Sequence, residues 1–181
     1  LDWYTILVGL LAAATLALHG ALWVSFRVAG ELQERTVVFA RPLLVGVVAL
    51  TAVVTAVTFS VQPQAPASLA ERPWSFVFPL LSLAGITLIW VNLRRKGGEL
   101  AAFLSSCLFI AGLLTSAANS VYPNVLPARP DAALSLTISN ASTSHYGQSV
   151  ALWWWVPALA LTTGYFVFLF RRFSGKVTVT E

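Results

Sequence analysis

The sequence predicts an all-α polytopic membrane protein with five transmembrane helices, and three observations carry that prediction. Hydrophobic residues make up 57% of the chain and charged ones 10%, with a mean hydropathy of +0.78. That leaves too few ionic side chains to clothe a water-soluble surface, and it equally excludes disorder. Five apolar stretches each reach the roughly 20 residues that cross about 30 Å of hydrocarbon. Finally, Lys and Arg gather in alternate connections.

The first span covers residues 3–26, which include no Asp, Glu, Lys or Arg, and ends before Arg27 and the Gly30-Glu31 break. The second, 42–61, opens on Pro42, a residue suited to a first helical turn, and runs on through Gly46, Ala49, Ala52 and Ala56. The third, 74–93, is stopped by Arg94-Arg95-Lys96. The fourth, 100–121, ends at Tyr122-Pro123, because a residue before proline is turned away from helical geometry. The fifth, 150–170, stops at Arg171-Arg172. A strand reading of the Val-rich stretch from Val45 to Val61 fails on length, and a lipid-facing barrel needs an apolar/polar alternation that these residues lack.

The cations orient the spans. Arg27, Arg35, Arg41, Arg94, Arg95, Lys96, Arg171, Arg172 and Lys176 fall on one side, and Arg72 and Arg129 on the other. Nine against two places the N-terminus outside and the C-terminus in the cytoplasm. Trp3, Tyr4, Trp74, Tyr122, Tyr146 and Trp153-Trp154-Trp155 fall at expected outer ends, where amphipathic rings suit the headgroup level. Their first reading is interface anchoring; stacking of one ring on a quinone or haem stays open. A net charge of +4 would suggest nucleic acid for a soluble chain, but here the cations mark helix ends and no nucleic-acid partner is expected. Of the two outer connections, 62–73 is short and carries Pro63, Pro66 and Pro73. Residues 122–149 are long, with Pro123, Pro127 and Pro130 and then Leu134-Ser135-Leu136-Thr137-Ile138. A structureless loop of that length is uncommon, and its apolar content points to contact with a neighbour.

Few residues inside the spans carry chemistry. Ionisable groups there are the default functional candidates, and His19, about one and a half turns above the inner end of the first span, is the one found. It reads first as an imidazole hydrogen-bonded to a neighbouring helix, with Gly20 allowing close approach, and second as a haem or metal ligand. His145 reads as a solvated or capping residue. On the fourth span, with Ser105 at zero and about 100° per residue, Gly112, Ser116 and Asn119 fall within about 40°, a stripe of small and polar groups suited to helix packing. Asn119 is the member placed to do something further. Cys107 stands alone, which excludes an internal disulfide and a thiolate cluster. No phosphate-binding glycine loop, HExxH, CxxC or Ser-His-Asp set is present, and Asn140-Ala141-Ser142 matches a glycosylation sequon to which no function is attached. No self-contained catalytic site and no bound metal are expected. The chain has no Met and opens Leu1-Asp2-Trp3, so it is expected to be part of something larger.

The final third reads Tyr122-Pro123-Asn124-Val125-Leu126-Pro127, then Leu136-Thr137-Ile138-Ser139-Asn140-Ala141-Ser142, a span with Pro157 and Tyr165, and Phe173-Ser174-Gly175-Lys176-Val177. The start reads Leu1-Asp2-Trp3, Leu18-His19-Gly20-Ala21 and Gly30-Glu31-Leu32 with Arg35. In order and spacing these patterns resemble the C-terminal half of subunit II of cytochrome bd-type quinol oxidases. The resemblance implies a non-haem subunit that supports quinol oxidation coupled to reduction of O2 to water in a respiratory chain. It also implies a bacterial cytoplasmic membrane, a partner subunit I carrying haems b and d, and contact with membrane lipid and with quinol or quinone. Such a subunit has two four-helix bundles; residues 1–181 would supply the second bundle plus one additional span. The family's acidic proton-path residue belongs to the first half, so none is transferred here, and Asp2 does not stand in for it. His19 and Asn119 are the weak candidates for contact with a cofactor. The alternative readings are a transporter half or scaffold without redox function, and a standalone haem protein using His19.

Overall fold

The computed structural model describes residues 2–128 and 131–177; Arg129 and Pro130, counted above among the outer-loop residues, and Leu1 of the opening motif lie outside them. Helices α1 (Trp3–Arg27), α2 (Glu31–Val61), α3 (Gln64–Glu71), α4 (Val77–Asn92), α5 (Glu99–Val121) and α6 (His145–Arg172) account for most of the chain, and five of the helical segments are long and apolar enough to span a membrane. The all-α polytopic prediction therefore holds.

Two compact units divide the chain, one of residues 1–122 with 176–181 and one of residues 123–175. In the first, α1 starts under an Asp2 cap whose carboxylate accepts from the Thr5 amide and hydroxyl at 2.7 Å each. An acidic cap both satisfies a free N–H and suits the positive end of the helix dipole. The turn to α2 takes three residues, and Gly30 at φ +76° supplies the left-handed backbone it needs. Helix α2 then begins eleven residues before the expected Pro42. The stretch Glu31–Arg41 contains no breaker, Glu31 pairs with Arg35 at 2.5 Å one turn on, and Glu31 and Glu34 suit the N-terminal dipole. Pro42 sits inside the helix, where its missing N–H forfeits one hydrogen bond without ending the run. At 31 residues α2 is about 46 Å long, well beyond the hydrocarbon thickness, so its first turns project past the span.

The short proline-rich connection also folds. Pro63 and Pro66 sit at the start of α3, where a missing N–H costs least, and Pro73 opens a 3-10 turn, Pro73–Phe76, leading into α4. Hydrogen bonds fix which helix ends meet: Tyr4 Oη with Thr58 Oγ1 at 3.0 Å, Ser68 to Asn119 at 2.8 Å, and, at the opposite end, Gln33 to Glu99 at 2.7 Å. The core holds Leu11, Leu18 and Leu22 of α1, Leu44 and Val47 of α2, Ile89 of α4 and Phe109 of α5. The closing residues return to this unit, where Val177 donates to the Arg27 carbonyl at 2.8 Å and accepts from the Ala29 amide at 3.1 Å.

In the second unit the long connection is not structureless. Strands β1 (Asn124–Leu126) and β2 (Leu136–Thr137) pair antiparallel, with Asn124 opposite Thr137 and Leu126 opposite Leu136. Asn140 holds the bend: its Oδ1 accepts from the Thr137 amide at 2.7 Å and its Nδ2 donates to the Ser135 carbonyl at 3.0 Å. Side chain to backbone bonds of this kind are the usual task of Asn in turns. Helix α6 starts five residues before the expected Val150, capped by Ser144, so His145 becomes its exposed first residue.

Helices α4 and α5 pack most closely. A Cβ added at Gly85 would lie 2.5 Å from the Phe109 amide nitrogen, and one at Gly112 would lie 2.5 Å from that of Ser82. Both obstacles are backbone and cannot swing aside. Gly85→Ala and Gly112→Ala are each expected to lower the thermal midpoint in detergent, at a cost of about 1–3 kcal/mol. Gly46→Ala on α2, where nothing lies within 4 Å of the added carbon, is expected to leave the midpoint unchanged or raise it.

Candidate functional site

The interior of the first unit is tied by side-chain hydroxyls, and His19 joins that pattern. Its Nδ1 lies 2.8 Å from Ser106 Oγ on α5. The single Ser106 hydroxyl proton goes to the Phe103 carbonyl at 2.6 Å, so Oγ meets the imidazole as an acceptor and His19 carries a proton on Nδ1. Phe103 packs against the ring with centroids 4.9 Å apart, and Trp23 lies against Phe103 at 5.0 Å. Arg27 covers Trp23 from the helix end, its guanidinium carbon 5.4 Å from the ring centroid. A haem would require a slot for its macrocycle as well as an axial nitrogen. The cavities lined by residues from 41–45 with 90–94 and from 164–172 do not border His19.

The same use of hydroxyls recurs at the preceding residue, on the α4 side. Ser105 donates to the Ala101 carbonyl at 2.6 Å, and its oxygen faces Asn92 Nδ2 at 3.4 Å. Ser105 and Gly112 of the small-residue stripe are both buried, and both face α4. Ser116 bonds back to the Gly112 carbonyl at 2.7 Å.

Asn119, at the far end of the stripe, turns to α3. Ser68 Oγ donates to the Asn119 carbonyl at 2.8 Å and accepts from Asn119 Nδ2 at 3.3 Å and from Arg72 Nη2 at 3.0 Å. Arg72 also donates to the Tyr122 carbonyl at 3.2 Å and lies over the Tyr122 ring at 4.5 Å. Four residues thus close the end of α5, a position where its last carbonyls lack intrahelical partners. His19 and Asn119 are not brought together; they sit toward opposite ends of α5, one against Ser106 and the other within its last turn.

Sequence reasoning singled out His19 and Asn119 but missed their partners Ser106, Phe103, Ser68 and Arg72. Nothing local marks Ser106 above its neighbour Ser105, because the choice depends on which helix α1 packs against. Arg72 carried a signal that was read for topology alone: it is one of two cations on a side nearly free of them.

One comparison decides the family. The family described as Cytochrome bd terminal oxidase subunit II matches residues 1–173, nearly the whole chain. The chain belongs to that family. Comparison with curated proteins finds no match. As a member of the cytochrome bd terminal oxidase subunit II family, it is a multi-pass membrane protein and a subunit of an oxidoreductase complex. Much of its polar interior ties helices together, while the buried Thr15 hydroxyl on α1 has no hydrogen-bond partner among the described residues.

A double-mutant cycle on the purified protein tests the clearest of these ties. His19→Phe and Ser106→Ala are each expected to destabilise it, with a coupling of about 0.6 kcal/mol and no more than about 2. Additive effects would show that the 2.8 Å contact contributes nothing.

Proposed function

We propose that this chain is the haem-free subunit of a quinol:O2 oxidoreductase in the bacterial cytoplasmic membrane. In this reading it braces a haem-bearing subunit I, which holds haems b and d and oxidises two quinols to two quinones as O2 is reduced to two waters. The observation that carries the proposal is the family match over residues 1–173.

The distribution of apolar surface supports a bracing role. In the most apolar stretches of the first four spanning helices only 17–28% of residues are buried, and in α6 none are, so most of each helix faces lipid or another membrane subunit. The hairpin is more telling. Leu126, Leu134 and Ile138 are exposed on a ribbon outside any spanning helix, where lipid does not explain them. Grouped apolar side chains of that kind mark protein contact. His19 and Asn119 act in this scheme as structural ties, holding α1 and α3 to α5, and the redox steps belong to the partner. A quinone or lipid held against this subunit is compatible with the same arrangement.

Purification through a tag on this chain, from cells expressing the neighbouring oxidase genes, is expected to bring a haem protein with it in fixed ratio. Quinol-driven oxygen uptake in those membranes is expected to vanish when this chain is deleted. A haem-free chain that purifies alone, with uptake unaffected by its deletion, would defeat the proposal; a Soret band from the isolated chain would reassign the haem to this subunit.

The positive-inside distribution further supports an N-terminus outside and a C-terminus in the cytoplasm. In a Cys107→Ser background, a membrane-impermeant maleimide is expected to label Ser139→Cys in intact cells and Ser174→Cys only after permeabilisation. The reverse pattern would invert the topology.

A further inference from the structure

The helices of the first unit close on three sides only. Helix α1 packs on α2 and α5, and α4 packs on α5, whereas α2 and α4 barely meet. Where α2 and the end of α4 face each other lies an open cavity of about 480 Å³, within the range of small-molecule sites. Leu44 and Val45 of α2, with Leu93 just past α4, give it an apolar floor; Trp90 forms a wall, and Arg41 and Arg94 stand at the rim. Pro42 completes the α2 side. The Arg94 guanidinium lies over the Trp90 ring, 4.6 Å from its centroid.

The charge at this rim is unbalanced. Among the described residues the ion pairs engage Arg35 with Glu31 and Lys176 with Glu99, and no carboxylate lies within ion-pair distance of Arg41 or Arg94. Two guanidiniums therefore converge on an apolar, Trp-walled cleft at the level where membrane helices leave the hydrocarbon. Guanidinium groups match phosphate oxygens in geometry, and basic pockets between transmembrane helices are recurrent anionic-lipid sites.

We propose that the cleft between α2 and α4 binds one anionic glycerophospholipid, with its phosphodiester between Arg41 and Arg94 and its acyl chains against Leu44, Val45 and Leu93. A free phosphate would leave the apolar floor unused. A zwitterionic headgroup would bring an ammonium or choline cation toward two positive charges, so phosphatidylglycerol is favoured over phosphatidylcholine. The bound lipid would fill the open side of the bundle and join two helices that otherwise share little contact.

Native mass spectrometry of the intact, detergent-purified oxidase provides the test, with phosphatidylglycerol, phosphatidylcholine or inorganic phosphate added separately. Wild-type protein is expected to retain phosphatidylglycerol under activation that strips phosphatidylcholine. Replacing both arginines (Arg41→Gln with Arg94→Gln) is expected to weaken that retention about tenfold or more, each cation near the headgroups contributing a comparable share. The double Lys variant is expected to recover part of the loss, and Arg35→Gln, at the same end but paired with Glu31, to change retention less than about twofold. Equal loss of both lipids from wild-type protein, which requires no variant to fold, would overturn the proposal and leave ordinary snorkelling to bulk headgroups. Unchanged retention in the double Gln variant would also overturn it. Displacement of phosphatidylglycerol by millimolar inorganic phosphate would reassign the site to a small anion.

Discussion

Where α4 crosses α5, main chain lies against main chain. Gly85 faces the backbone of Phe109 and Gly112 faces that of Ser82, with no side chain between them. Lipid tails are as apolar as leucine, so burying hydrocarbon gives membrane helices little reason to associate, and close approach with its dispersion contacts must supply the attraction. Helix α5 is consequently the reference element of the first unit. Helix α4 is set by the two glycines, α1 by His19 and Ser106, and α3 by Asn119 and Ser68.

The hydroxyls on α5 share one logic. Ser105, Ser106 and Ser116 each give their only proton to a carbonyl of their own helix, three or four residues back. In hydrocarbon that removes an unsatisfied donor before any neighbour arrives. What remains is an oxygen able to accept, and Asn92 and His19 bring donors to two of those oxygens. Helix α5 can thus present polar atoms to its neighbours while its own hydroxyl donors stay satisfied.

The spans were legible because their signal is local. Twenty apolar residues between charges announce a membrane helix without reference to any other part of the chain, and all five were found. Helix ends were less legible. Glu31–Arg41 is too polar to register as part of a span, yet contains nothing that stops a helix, so a search for hydrophobicity ended where the α-helix did not. The hairpin at Asn124–Thr137 is invisible in the sequence because strands of two or three residues leave no periodicity to detect. At the candidate site the sequence marked the unusual residues, His19 and Asn119, while their partners are common ones whose importance comes from helix adjacency. The small-residue stripe was informative in both respects: its packing reading is realised against α4 at Ser105 and Gly112, and its last member tethers α3.

The backbone clip at Val177 has a temporal side. Ribosomes deliver residues in order, so the Arg27 carbonyl and the Ala29 amide emerge well before Val177 and meet their partner only after α2, α4, α5 and α6 have been made. Until then the first hairpin bend carries two unclaimed polar groups beside Gly30. Closure of that clip, with Lys176 settling 3.8 Å from Glu99, therefore follows synthesis of α6 and registers Lys176 and Val177 against α5 and the end of α1.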